Sequence, residues 1–263
     1  MSQSAVVTAL NIFPVKSCRG IALNELVMTA TGPAFDRQWM IVDEQNQFLT
    51  LRTFARLAVI KTSLQGPFLH LYAGSNKILV NHTENCETTE SVTVWGETVA
   101  AGVENRSINE ALSDFLQKSV KLVRFQESSL RNQKQMFADS RPVLLTNENS
   151  LADLNSKLYA KGVAPSLMER YRANIVVKGL SAYAEDKIVE CRLGEVILQN
   201  PHLCGRCPII TQDVESGKVV SKETLITLAE YRKSEGSRSI PFGVHFTPGS
   251  KGTIRIGDEL KIL

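Results

Sequence analysis

The run VVTALNIF at residues 6–13, followed by PVKSCRG at 14–20, has the composition of a strand that ends in a turn. Its β-branched and apolar residues suit a pleated, half-buried surface, and Pro14 and Gly20 punctuate its exit. Further β-prone runs follow at Gln38–Val42, Ala58–Thr62, Leu69–Tyr72, Lys77–Val80 and Ser91–Trp95, separated by Gly32–Pro33, Asp43, Gly66 and Gly74. Several short strands at this spacing predict a barrel or a sandwich.

Helices enter later. Ser107-Ile108-Asn109-Glu110 has the residues of a capping box, with Leu112, Phe115 and Leu116 on one helical face behind it. A strand is expected at Val120–Phe125 and a polar loop at Gln126–Gln135. Beyond it, Val143–Leu145 reads as a strand and Ser150–Tyr159 as a helix stopped by Gly162. Strands are expected at Ile175–Val177, Lys187–Leu193, Val196–Leu198 and Ile209–Thr211, and a helix at Thr224–Arg232. The chain closes on strands at Val244–Thr247 and Thr253–Leu263, the last broken by Gly257-Asp258 as a turn. A boundary between Gly96 and Ser107 divides the chain into two β-rich units, 1–100 and 101–263.

Composition narrows the function. Thirty Lys plus Arg against 27 Asp plus Glu give a net charge of +3, too small to predict nucleic-acid binding, so any anion preference must be local. No run of apolar residues is long enough for a membrane span, and residues 1–10 lack the pattern of a signal peptide. A cytoplasmic location is the default expectation. The five cysteines are odd in number and scattered, which argues against a disulfide framework and for reduced thiols.

The one close pair is Cys204-Gly205-Arg206-Cys207. A dithiol redox centre would place this motif at the start of a helix, but Ile209, Ile210 and Thr211 favour a strand. Structural zinc needs a second close pair of ligands, and only His202 lies near. A single thiolate beside Arg206 would serve as a soft-metal ligand or a nucleophile. Two buried thiols packing as small hydrophobes is the remaining reading. Spacing leaves these alternatives open.

Other segments set isolated polar groups among apolar ones. Lys16 and Ser17 end the first strand with donors suited to phosphate. Arg37 opens an apolar strand after Asp36, and Arg172 and Asn174 would share one strand face, where a planar cation and an amide can grip a phosphate and a heterocycle edge. Ala138-Asp139-Ser140-Arg141-Pro142 is a polar loop entering a strand. Each segment, taken alone, is also what a solvated turn or edge looks like.

Seven stretches carry a resemblance: FPVKSCRG (13–20), FDRQWMIVDE (35–44), FLTLRTFARL (48–57), ADSRPVLLTNENSLADLN (138–155), RANIVVKGLSAYAED (172–186), CGRCPIITQDVESGK (204–218) and GTIRIGDELKIL (252–263). In this order they resemble the MOSC family with its N-terminal β-barrel extension, the group that includes the mitochondrial amidoxime-reducing components and bacterial relatives. The resemblance implies an α+β, predominantly β fold: a MOSC-type β-barrel core with peripheral helices plus an N-terminal β-barrel-like subdomain. It implies a molybdenum cofactor (Mo-molybdopterin) with Cys207 as metal ligand and catalytic residue. Cofactor contacts are implied for Lys16, Ser17, Arg37, Arg172, Asn174 and Arg206, and also for Ser140 and Arg141. Gly205 stands where relatives can carry Ser, so a backbone contact would replace a side-chain one.

The activity so implied is reduction of small N-hydroxylated compounds by oxygen-atom transfer. Some relatives append a ferredoxin domain with four closely placed cysteines. None is present through Leu263, so the electron donor is expected to be a separate ferredoxin, flavoprotein or cytochrome b5-like protein, unless the sequence is part of a longer chain. Two other functions stay in view: a sulfur carrier or sulfurtransferase with a persulfide on Cys207, and a non-catalytic pterin-binding β-domain. Asp213, in the TQD segment after the motif, is either a participant or a turn former.

Overall fold

The computed structural model describes residues 5–126 and 135–263, so the loop expected at Gln126–Gln135 lies, but for its two ends, outside the described residues. Strands β1 (Ala5–Ile12), β2 (Ile21–Leu23), β3 (Glu25–Thr29), β4 (Gly32–Pro33) and β5 (Trp39–Asp43) come first. β6 (Lys61–Gln65), β7 (Phe68–Ala73), β8 (Asn76–Asn81), β9 (Thr88–Val94) and β10 (Glu97–Val103) come next, and helix α1 (Arg106–Leu116) leads to β11 (Val120–Phe125). The second half runs β12 (Val143–Asn147), α2 (Glu148–Ala160), β13 (Ile175–Lys178), β14 (Cys191–Leu193), β15 (Val196–Gly205), α3 (Glu223–Arg232), β16 (Pro241–Pro248), β17 (Gly252–Arg255) and β18 (Glu259–Ile262).

Seven strands close into a barrel in the order β13-β12-β16-β15-β14-β18-β1, with β1 pairing back onto β13. Closure leaves no free edge in that ring. Its interior is apolar: Val7, Leu10 and Ile12 of β1 pack with Val143, Leu145, Ile175, Val177, Leu198, Val244 and Phe246. The first strand of the chain is therefore a stave in a barrel otherwise built from residues 143–262. The C-terminal turn at Gly257-Asp258 forms, yet its two strands do not make a hairpin: β17 pairs with β3, and β18 with β14 and β1.

Strands β5 to β11 form a four-stranded sheet, β5-β11-β10-β9, and a three-stranded one, β6-β7-β8, while β2 pairs with β1 and β3-β4 join β17. Strand β5 is apolar on both faces because it is buried on both. Trp39 and Ile41 pack with the β7 residues Leu69 and Leu71 and with α1, while Met40 and Val42 face Val92, Val94 and Phe125. The boundary drawn between Gly96 and Ser107 falls on β10, which pairs with β9 on one side and β11 on the other. The alternation of this strand is hard to see in the sequence because Glu97–Val103 ends on small residues, Ala100-Ala101-Gly102.

Three local expectations are corrected. Ala58–Thr62 is a 3-10 turn over Ala55–Val59 followed by β6 from Lys61, a case where periodicity does not separate strand from helix in a short apolar run. Ile209–Thr211 is likewise a 3-10 turn, Pro208–Thr211: proline in the first position has a preset φ and no N–H to satisfy, and this outweighs the β preference of two isoleucines. The capping box at Ser107 does not form. Helix α1 starts one residue earlier behind Asn105, and Glu110 accepts from Arg106 Nε at 2.7 Å instead of reaching back to Ser107.

Candidate functional site

Phe13 leaves the barrel at the end of β1 and turns toward the sheet led by β5. Its backbone anchors the turn. Phe13 N–H donates to Asp36 Oδ1 at 2.7 Å, and its carbonyl accepts from Arg37 N–H at 2.9 Å. Lys16 N–H donates to the Trp39 carbonyl at 2.8 Å and Trp39 N–H to the Pro14 carbonyl at 3.0 Å, so residues 13–16 are stitched to the start of β5. The Phe13 ring carries two cations, with Arg37 at 4.4 Å and Arg172 at 4.3 Å from its centroid.

From the other side comes β15, longer than its sequence suggests, running through His202-Leu203-Cys204-Gly205. Its pairing with β16 is irregular between Gln199 and His202 and again between Leu203 and Gly205. Such irregularities re-aim side chains. The strand stops inside the cysteine motif, leaving Cys207 as the cap of the 3-10 turn beyond it. Arg172 and Asn174 precede β13 and do not lie on its face: Arg172 has φ +55°. Ser17 and Arg37 also have positive φ, 69° and 51°. Three non-glycine residues in the left-handed region beside one cavity are a concentration of backbone strain, which the surrounding hydrogen bonds hold in place.

That cavity has a volume of about 670 Å³ and is lined by the ten residues to which the resemblance gives a cofactor or metal contact: Lys16, Ser17, Arg37, Ser140, Arg141, Arg172, Asn174, Gly205, Arg206 and Cys207. Its size suits a cofactor-sized ligand. Among the described residues that line it, seven are basic (Lys16, Arg37, Arg52, Arg141, Arg170, Arg172 and Arg206) and one is acidic, Asp139. Lys16, though buried, is engaged: it donates to the Phe137 carbonyl at 2.7 Å and forms an ion pair with Asp139. Burial would raise the Asp139 carboxyl, but Lys16, Trp95 and Arg52 outweigh it and hold it below the usual range. Arg172 is lowered too, but there the shift disfavours the charge. Burial and the neighbouring Arg37 charge lower it to about 10, although it donates to the Cys18 carbonyl at 2.8 Å.

Asn174 acts as an internal strut. Its Oδ1 accepts from Leu144 N–H at 3.1 Å and from Arg37 Nη1 at 3.2 Å, and its Nδ2 donates to the Asn11 carbonyl at 3.2 Å. The amide thereby aims Arg37 and also hydrogen-bonds the Asp36 carboxylate that pairs with it. Three buried arginine donors in the lining, Arg141 Nη1, Arg170 Nε and Arg206 Nε, have no partner. Cys207 is half-buried, and its sulfur makes no hydrogen bond among the described residues. Asp213 takes no part in this cavity; its carboxylate caps a turn, accepting from Ser216 N–H at 2.9 Å and Ser216 Oγ at 2.7 Å.

Residues 132–261 match the family description "MOSC domain", and residues 4–119 match "MOSC N-terminal beta barrel domain". The whole chain is 32% identical over 292 residues to "Mitochondrial amidoxime-reducing component 1" of Homo sapiens, covering 100% of this chain and 84% of that protein. The chain belongs to the MOSC family. The Mus musculus protein of the same name is also 32% identical, over 288 residues, with the same coverage. "Molybdenum cofactor sulfurase" of Oryza sativa is 30% identical over 273 residues, spanning 92% of this chain but 33% of that protein.

Three lining residues of the MOSC cavity are not evident from the sequence. Arg52 stacks on Trp95, 4.3 Å from its ring centroid, and no spacing links a loop residue to the tip of the β9–β10 hairpin. Arg170 stands two residues before Arg172, so an Arg-x-Arg-x-Asn pattern offers a signal. His245 is the cross-strand neighbour of His202, a relation that only register reveals.

Proposed function

We propose that this MOSC protein is a molybdenum-cofactor-dependent reductase of small N-hydroxylated compounds, with Cys207 as the metal ligand. What supports the reading is the unpartnered Cys207 sulfur in a cavity of seven cations and one carboxylate, together with family membership and relatives named for amidoxime reduction and for the molybdenum cofactor. The residues fit the group. Molybdopterin brings a phosphate dianion and sulfur ligands, and the cavity offers arginines, buried unpartnered N–H groups and a thiol. When bound, the cofactor supplies the two-electron, oxygen-accepting chemistry that cleaves an N–O bond.

The chain's own residues orient and neutralise. Arg37 and Arg172, braced on Phe13, would meet the anionic end with Lys16, Ser17, Ser140 and Arg141 around it, and Arg206 and the Gly205 backbone would lie nearer Cys207. Electrons come from a separate donor protein in this reading, and the location is cytosolic. No helix among the described residues is long and apolar enough to cross a membrane. Elemental and pterin analysis of the purified protein, followed by anaerobic turnover of a benzamidoxime with an artificial electron donor, tests the proposal. Molybdenum near one per chain and benzamidine as product support it. The match to the rice sulfurase favours one other reading, a sulfur carried on Cys207, which predicts a persulfide adduct by mass spectrometry and no metal.

A further inference from the structure

The cysteine motif holds two sulfurs in different surroundings. Cys204, buried near the end of β15, accepts a hydrogen bond from Arg206 Nη1 at 2.7 Å, and His245 on the adjacent strand β16 is a second basic neighbour that favours its thiolate. Arg206 is otherwise fixed from behind. Its Nη2 donates to the Tyr171 carbonyl at 2.5 Å, its guanidinium lies 5.1 Å from the Tyr171 ring centroid, and its backbone N–H donates to the Ile240 carbonyl at 2.8 Å. One nitrogen of the guanidinium has no partner: Nε, buried, on a residue that lines the cavity. A planar fork gripped at both terminal nitrogens has one direction left for its third.

We propose that Cys204 is a positioning residue, whose sulfur, held by Arg206 Nη1, sets the Arg206 guanidinium so that Nε addresses the anionic group bound beside Cys207. The identity of that group rests on the function proposed above; the sulfur–guanidinium pair does not. Arg206 would otherwise be one more cation in a lining that holds six others, and the sulfur is the group that offsets it, since among the described residues it forms no ion pair with a carboxylate. Burial raises the Cys204 thiol, but Arg206 and His245 outweigh it and bring it down to about 6. The other residues packed on this sulfur are apolar: Leu144, Ala173 and Val176, with Ala9 and Met168 behind them. His202, two residues earlier on β15, is the remaining titratable neighbour along the strand. The motif thus divides its work. Cys204 is committed to the protein, and Cys207 is left for the ligand.

The test uses the full chain as wild type and as Cys204→Ser, Cys204→Ala and Arg206→Gln, all checked for native circular dichroism. The ultraviolet thiolate band, read as wild type minus Cys204→Ala, should titrate with a midpoint of about 6. It should move up by about one unit or more in Arg206→Gln. Metal and pterin retained after gel filtration should fall about tenfold in Cys204→Ala. Cys204→Ser, which keeps an acceptor for Arg206, should recover part of that loss. A thiolate that appears only in the ordinary thiol range, or full retention in Cys204→Ala, overturns the inference. If wild type carries neither metal nor pterin, the cofactor reading falls by itself, and the absorbance titration decides the sulfur–arginine pair: a midpoint unmoved by Arg206→Gln overturns it.

Discussion

Asp139 accepts from Lys16 and from Trp95 Nε1, the latter at 3.0 Å, and lies 3.6 Å from Arg52. It is the acidic group among the described residues of a basic cavity, so it competes with any incoming anion for two of the cations. Asp139→Asn removes that competition, and affinity for inorganic phosphate should rise about tenfold at low ionic strength. Trp95, exposed at the rim, reports the change by its fluorescence; unchanged or weaker binding would count against the competition. At Cys207 the expectation is different. Its sulfur is half-buried without a hydrogen bond, so Cys207→Ser should abolish metal retention yet shift stability by less than about 1 kcal/mol in urea unfolding. Cys204 adds a pH dependence. Held at about 6 against an ordinary 9.0, it contributes stability that is fully present above the unfolded value and lost as pH falls through 6. The urea midpoint should therefore decline on acidification from pH 9 to 6, and Cys204→Ala should flatten that slope.

Strands β15 and β16 carry the site because their ladder is imperfect. Gly243, with φ +77°, sits in β16 opposite β12, and a side chain there would meet the Leu145 carbonyl at 2.8 Å and Thr146 Cγ2 at 2.8 Å. Gly243→Ala should cost about 2–3 kcal/mol, combining left-handed strain with a clash against backbone, and should lower cofactor retention by shifting His245 and Cys204. An unfolding free energy within error of wild type would contradict this account. Gly205 makes a gentler contrast. A Cβ there would meet Ser239 Oγ, the mobile end of a short side chain that can rotate away. The Ser239 hydroxyl lies where a side chain on residue 205 would go. These elements show where local reading stops. Strands β1, β5, β7, β8 and β11 are legible because their apolar residues face a core on one or both sides. The turn after Cys207, the cap of α1 and the length of β15 are not, since each is decided by a neighbour: Pro208, Glu87, whose carboxylate accepts from Arg106 N–H at 3.0 Å, and the partner strand β16.

In the whole molecule, the barrel depends on both ends of the chain. β1 pairs with β13 and β18, and β17 pairs with β3, so residues 120–263 alone lack one stave and leave two strands with open edges. Expressed as a fragment, they should show neither a cooperative thermal transition nor dispersed amide resonances, although the "MOSC domain" match begins at residue 132. Seven cations line one cavity, and Arg172 is lowered there first by burial and then by the neighbouring Arg37 charge. Phosphate should raise the melting temperature of cofactor-free protein by about 3 °C or more when well above its Kd, and chloride at equal ionic strength should do less. Strand propensity and side-chain type are local properties, so the residues in their order were enough to establish a mostly β chain, to mark the segments that carry donors for an anion, and to put the chemistry at the Cys204–Cys207 motif. Three further facts came from folding: the ten residues meet in one cavity, Asn174 braces Arg37, and the two cysteines differ in task. Each depends on register and barrel closure, which bring residues 13–37 against 139–174 and 202–245 through contacts that no spacing along the chain encodes.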